Sequence, residues 1–399
     1  MHSFCEMVME KVLILSSKPP YPIQDGAAIR TYQSIHIFAE LGYSVDVLYI
    51  SDSEDYETVK KGIGKYCENI FHYVITKKQS YVKVLTGLLF NLRPLQVNYF
   101  YSRKIKQWID KNADRYDIIY CNNIRTALYA RNLKITKIMD FVDAYSMNYQ
   151  SAREKTTGLW HWIYTIDFPR CEKLEQQILH EFDKCLIISE IDKEYIISHA
   201  QKPAKIDVIE NYTIVDEGKR IEVSPDKHNL VFVGAMNYEP NVSAVRYFVS
   251  EVMPLLIKRY PDIRFYIVGK TPTPEVLALA DEHTIVTGYV ESVWDYLKEA
   301  SVVVTPMMSG SGLQNKILQA LAVGACVVTT PKGFEGLVSD EGQPFVAKDK
   351  SEMVEIISHL LDFPEERNAR GNASVKYVQK HYDISAIKEK FVQLLSSNA

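Results

Sequence analysis

Thr305–Thr330 reads TPMMSGSGLQNKILQALAVGACVVTT. The apolar run Val302-Val303-Val304 before it has the composition of a buried strand. A small-residue loop, Ser309-Gly310-Ser311-Gly312, comes next. A helix pattern follows from Leu313 to Ala322, stopped at Gly324, and then a second apolar run, Cys326-Val327-Val328. Strand, loop, helix, strand is a β-α-β unit, the building block of parallel sheets. The glycines let a ligand approach the backbone. Free N–H groups and the helix dipole favour an anion there. Lys316, four residues past Gly312, can aim a charge at the same place. A phosphate-bearing ligand is the chemistry these features suit; an ordinary βα loop is the competing reading.

Working outward, the pattern around this unit repeats. Leu230–Gly234 reads as a strand, followed by a loop and a helix over 242–260. Arg264–Val268 and Thr284–Val286 are further strands, Glu291–Ala300 is a helix, and helices fill the tail from Ser351. Upstream, Tyr212–Asn229 is polar and without a clear period, as a linker is. The first half begins with a continuous apolar strand, Lys11–Ser16, then a Pro-rich loop to Asp25-Gly26, a helix to Leu41 and a strand at Val45–Ile50. That loop lacks G-x-G-x-x-G, so the dinucleotide fingerprint is absent. Strands at 70–75, 117–120, 137–142, 184–189 and 205–209 alternate with helices at 102–112, 125–131 and 158–182. The expected architecture is α/β, two Rossmann-like domains facing a cleft. The domains are 1–211 on the acceptor side and 230–375 on the donor side, with 212–229 between them. A last helix, 376–399, packs back on the first domain. Asp143, just past the 139–142 strand, is placed where ligands bind in open α/β sheets.

At 399 residues the chain holds two or three domains on the usual length prior. A formal net charge of -4 argues against a nucleic-acid binder. No apolar run approaches the roughly 20 residues that span a bilayer. The start carries acids and no basic n-region, so no signal peptide is read, and the six scattered cysteines fit a reducing cytoplasm. Neither the cysteines nor the ten histidines form a metal-ligand spacing, so no metal is expected. Lys77–Lys106 mixes bases with apolar and aromatic residues and holds no acid. It reads either as packed helices with solvated lysines or as a contact with an anionic membrane surface. Trp160 and Trp162 beside His161 read as a helix-packing cluster before a sugar-stacking one. Glu335 is a further candidate at a strand end.

Five stretches together go beyond periodicity: Phe232–Asn241, Ile267–Gly269, Val286–Val290, Gly310–Ala320 and Thr330–Leu337. In this order and spacing they resemble the retaining glycosyltransferases of family 4, of GT-B fold, and most of all their bacterial surface-polysaccharide branch. Asp25-Gly26, Ile29–Tyr32 and Asp140–Ser146 extend the resemblance into the first half. It implies transfer from a nucleotide sugar, UDP- or GDP-linked, to a glycan, lipid-linked or protein acceptor, with no metal or other cofactor. It places Gly312 and Leu313 on the phosphates through backbone N–H, Lys316 on their charge, Gly234 and Gly26 beside the diphosphate, and Val290 against the base. Asp143 is the acceptor-side candidate. Family members carry two Glu eight positions apart; here those positions hold Ser311 and Gln319. Met308 stands where many carry Arg, and Asn237 and Asn241 where many carry Arg and Lys. Gln319 still hydrogen-bonds hydroxyls, worth about 0.5–1.5 kcal/mol against about 1.5–3 for a carboxylate. The departures keep two other readings open, a non-catalytic partner subunit and an epimerase of the same fold.

Overall fold

A computed structural model of the chain describes residues 9–23, 26–213, 228–310 and 312–397. It divides into two compact units, Met1–Asn211 with Lys388–Ala399, and Tyr212–Ile387. Most of the expected linker, 214–227, lies outside the described residues.

The first unit is built on seven strands: β1 (Lys11–Ser16), β2 (Ser44–Ser51), β3 (Asn69–Val74), β4 (Ile118–Asn122), β5 (Thr136–Asp140), β6 (Lys184–Ile187) and β7 (Asp207–Val208). They form one sheet in the order β3-β2-β1-β4-β5-β6-β7, every pair parallel. Val12, Leu13, Ile14 and Leu15 are all fully buried. Helices cover both faces of the sheet, so this strand reads as a continuous apolar run instead of an alternation. The second unit has six strands: β8 (Asn229–Val233), β9 (Arg264–Val268), β10 (Thr284–Gly288), β11 (Val302–Thr305), β12 (Val327–Thr329) and β13 (Phe345–Val346). Their order is β10-β9-β8-β11-β12-β13, again parallel throughout. One apolar cluster lies on each face of this sheet, the first around Phe232, Phe248 and Phe265, the second around Ile317, Leu321 and Tyr377.

Both sheets reverse their winding at the middle. The chain builds outward from β1 to β3, then returns to pair β4 on the other side of β1. It does the same around β8, with β11. In open α/β sheets the ligand position lies beyond the C-terminal strand ends at such a reversal.

Several expected elements differ, among them the last helix read over 376–399, which is two helices, Pro364–Tyr382 and Ile384–Ser396, with residues up to Ile387 in the second unit. The helix read over 242–260 is interrupted: Glu239–Tyr247 is α-helical, Phe248–Val252 is a π turn, and Met253–Arg259 resumes. Pro254 has no N–H, and its ring excludes the carbonyl four residues back, so the ladder widens just ahead of it. The helix read over 125–131 shrinks to Ala127–Ala130. The strand read to Val142 stops at Asp140, because Val142 takes a left-handed φ of 66°.

The chain's last helix, Ile384–Ser396, closes the first unit with its end. Phe391 meets Phe38 edge-on at 5.9 Å between ring centroids, and Lys390 pairs with Glu210. The Lys184 ammonium donates to the carbonyls of Leu394, Leu395 and Ser397. A cation on the last carbonyls of a helix satisfies orphan acceptors and opposes the negative end of the dipole.

Candidate functional site

The C-terminal edge of the second sheet is shaped by glycines. A Cβ on Gly269, after β9, would stand 1.7 Å from the Gly234 carbonyl oxygen. A Cβ on Gly234, after β8, would stand 2.6 Å from the Asn241 amide nitrogen. Only bare backbone fits there, and the space admits Asn241, which is buried and donates to Ala235 O at 2.9 Å.

Asn241 turns its side-chain oxygen to Lys316. The Lys316 ammonium donates to that oxygen, lies 3.6 Å from the Met307 sulfur and sits 4.9 Å from the centre of the Phe232 ring. No carboxylate pairs with it among the described residues. Burial without a counter-charge brings its pKa down to about 7. Lys316 stands in the first turn of the helix Asn315–Ala322. The loop before that helix runs from the end of β11, with Gly312 at a left-handed φ of 71°. Among the described residues, the N–H groups of Gly312 and Leu313 reach no acceptor. Gly336 packs against this loop so closely that a Cβ would lie 3.3 Å from the Leu313 nitrogen. The loop is held from the far side too, where the Thr330 hydroxyl donates to Met307 O at 2.5 Å. The edge therefore presents two free backbone donors and a lone ammonium held by neutral partners. That is an anion-binding arrangement.

The other expected donor-side residues are placed as follows. Gln319 lies one turn beyond Lys316 on the same helix, half-buried. Val290 is half-buried just past the end of β10. Asn237 is exposed on the turn after Gly234. Ser311 lies outside the described residues. Glu335 is taken by Lys332 at 2.5 Å. Sequence spacing offered Asn237 and Asn241 alike; burial separates them and gives Asn241 the contact with Lys316.

In the first unit, Asp143 follows β5 at the C-terminal edge of the sheet. Burial, then the charges of Asp192 and Asp140, push its pKa up to about 7, against the opposing pull of Arg125. Beneath it Asp140 is fully buried, accepting from Arg30 Nε at 2.5 Å and from the Tyr120 hydroxyl. Arg30 also donates to Glu210 O at 3.1 Å. Glu175 is bound by the Ser146 backbone N–H at 3.2 Å and by the Ser146 hydroxyl, and its pKa also rises to about 7 through burial. Gly26 opens the helix Gly26–Glu40 and is exposed, with nothing within 4 Å of where a Cβ would be. Trp160 and Trp162 are 60% and 66% exposed, so they are not the packing cluster expected of them.

Two family descriptions match the chain in tandem. Residues 24–216 match Glycosyltransferase Family 4, and residues 227–362 match Glycosyl transferases group 1. With two parallel-sheet α/β units of this topology, the chain is a glycosyltransferase of the GT-B fold. A protein of the cps region of Klebsiella pneumoniae is 22% identical over 94% of this chain and 97% of its own length. A glycosyltransferase of Methanocaldococcus jannaschii is 23% identical over 81% of each. The fold is shared with solved structures. TarM superposes with a TM-score of 0.73 at 10% identity, covering 98% of this chain and 99% of that one. Anabaena HepE in complex with UDP superposes with 0.67 at 14% identity, covering 97% and 99%.

Proposed function

We propose that the chain moves a sugar from a UDP- or GDP-linked donor to an acceptor hydroxyl with retention of configuration, in the synthesis of a surface polysaccharide or related glycan. The second unit takes the donor, and the first takes a glycan, lipid-linked or protein acceptor. The carrying observation is Lys316: a half-buried ammonium with a neutral hydrogen-bond partner and no carboxylate among the described residues, beside the N–H groups of Gly312 and Leu313. In transfer the sugar C1–O bond to the diphosphate breaks, a C1–O bond to the acceptor forms, and the acceptor hydroxyl's proton passes to the departing diphosphate oxygen. The negative charge that collects on the leaving diphosphate meets two fixed dipoles and one cation, in place already and needing no reorganisation. Gly234 leaves room beside that diphosphate, Gly26 is the first unit's candidate for the same group, Val290 meets the base through its backbone, and Ser311, Asn237 and Gln319 serve the sugar and ribose. Asp143 is the polar group on the acceptor side. The relative from the cps region supports the polysaccharide context, and the UDP complex of a protein of the same fold supports the donor class. Transfer on the cytoplasmic side, with peripheral membrane contact through residues 77–106, completes the reading.

Calorimetry with a panel of UDP- and GDP-sugars tests it, followed by turnover with the donor that binds. Lys316→Ala should lower turnover by a factor on the order of 100 or more. Near-wild-type turnover in that variant would remove Lys316 from the role. A second reading, a non-catalytic GT-B subunit that binds glycan or an active transferase, is favoured by one observation. Around Lys316 stand Asn241, Met307 and Phe232, all neutral, with Gln319 on the next turn. Absence of binding across the whole panel selects it.

A further inference from the structure

The first unit carries a basic cavity that glycosyl transfer does not use. Its volume is about 540 Å³, and it is lined by Arg93, Lys106, Arg131, Arg170 and Lys173, together with Leu92 and neutral residues. No carboxylate lines it. Two of the five bases are occupied: Lys106 by Asp110, and Arg131 by Glu181. Arg93 lies against the Tyr101 ring at 4.6 Å, and Lys173 has no ion pair among the described residues. Arg170 has a buried guanidinium nitrogen, Nη1, that meets no acceptor. Asp167, close enough to feel the charge of Arg170, has both oxygens on the Leu95 N–H instead. Concentrated positive charge with no carboxylate in the lining fits a phosphate group.

The cavity lies away from the reacting edge. Arg131 and Asn132 begin the stretch leading into the start of β5. Gln177 is about one turn before the end of the helix Gly158–Glu181, which leads into the start of β6. Both point to the N-terminal edge of the sheet, opposite to Asp143.

What adjoins the cavity says how the phosphate arrives. Asn91, Leu92 and Arg93 on its wall directly follow the helix Lys77–Phe90, and that helix is inverted. Its buried residues are Ser80 and Gly87, and a Cβ on Gly87 would stand 2.3 Å from the Asn98 amide. Its outward side carries Tyr81, Leu85, Leu88 and Leu89, at helical spacing, then Phe90 and Leu92, with Leu89 77% and Phe90 83% exposed. A helix that packs through small residues and offers apolar ones outward has its apolar face unpartnered. From Lys77 to Lys106 the stretch has seven bases and no acid. Apolar surface beside basic charge is complementary to the boundary of an anionic bilayer.

We propose that the cavity seats the phosphate group of an anionic membrane lipid while the outward face of the 77–90 helix enters the adjoining acyl layer. The proposal deepens the membrane contact suggested above and is independent of the transfer chemistry. Sedimentation of the full chain with phosphatidylcholine vesicles, with and without phosphatidylglycerol, tests it. Wild type should adsorb only to the anionic vesicles, and adsorption should fall with added salt. The triple variant R93Q/R170Q/K173Q should adsorb roughly 10- to 100-fold more weakly. L85Q/L89Q, which alters exposed side chains only, should also lose adsorption; K111Q/K202Q should not. Thermal melting confirms that each variant is folded. Wild-type adsorption matched by the triple variant overturns the pocket and leaves the membrane contact standing. Failure of wild type to adsorb overturns both. Inorganic phosphate bound in the cavity without vesicle adsorption makes it a soluble-anion site and overturns the lipid. None of these outcomes bears on donor transfer.

Discussion

Lys316 carries the proposed chemistry of the second unit in one side chain. Its pKa of about 7 means that near neutrality it is only partly charged when free. A diphosphate bound beside it would stabilise the charged form, so binding would take up a proton above pH 7. Donor or UDP affinity should therefore be flat below pH 7 and fall as pH rises toward the ordinary lysine value. Titration calorimetry at pH 8 in buffers of different ionisation enthalpy should show uptake of up to one proton, and Lys316→Met should abolish it. Uptake unchanged in that variant would assign the proton elsewhere. Gly234→Ala tests the placement of Asn241. Its methyl group takes the position of the Asn241 amide. Nucleotide affinity should drop about 10-fold, the order of one lost hydrogen bond to a charged group, with a smaller change in melting temperature. Asp143 titrates near neutrality for a different reason, burial among other carboxylates. If its ionised form assists the acceptor, kcat/KM rises between pH 6 and 8 and then levels. Asp143→Asn should remove that limb of the profile, and a limb that persists excludes the role. In the sequence, Lys316 was legible by its distance from Gly312. The partner that holds it was not, because spacing alone does not say which of two asparagines turns inward.

At the level of elements, the glycine-rich loop and the helix after it keep their sequence-predicted order, while the boundaries shift. The expected helix from Leu313 begins at Asn315, since Gly312 takes a left-handed φ and the chain turns before the first helical bond. The π turn at Phe248–Val252 follows from Pro254, a local cause visible in the sequence but overridden there by a long apolar period. The helix Gly26–Glu40 depends on a contact that no local pattern announces. Arg30 is 1% exposed and binds Asp140, which is 0% exposed, 110 residues away. Removing one partner of a buried pair strands the other charge, at a cost of about 3–5 kcal/mol. Arg30→Leu should lower the melting temperature of the first unit clearly while leaving nucleotide affinity intact. An unchanged melt would mean that Asp140 is held by Tyr120 and the backbone alone. Lys184→Met should loosen the last helix by about 1–3 kcal/mol, read as faster amide exchange over 388–397.

For the whole molecule, the strongest expectation is transfer itself: a nucleotide sugar consumed only when acceptor is present. Product analysis with donor alone separates this from epimerisation, which needs no acceptor. The sequence by itself determined the α/β class, the two sheets and the glycine-rich loop ahead of Lys316. Each rests on interactions local along the chain: apolar strands, helix stops, and glycines at fixed spacing from a lysine. Tertiary structure decided what depends on residues brought together from afar. It chose Asn241 over Asn237 as the partner of Lys316, buried Arg30 against Asp140, and exposed the two tryptophans that sequence reading packed inside. It also turned the apolar face of the 77–90 helix outward, because Ser80 and Gly87 are small enough to pack closely and the larger side chains are not. Amphipathic period names two faces of a helix; only the shape of what it packs against decides which one is buried.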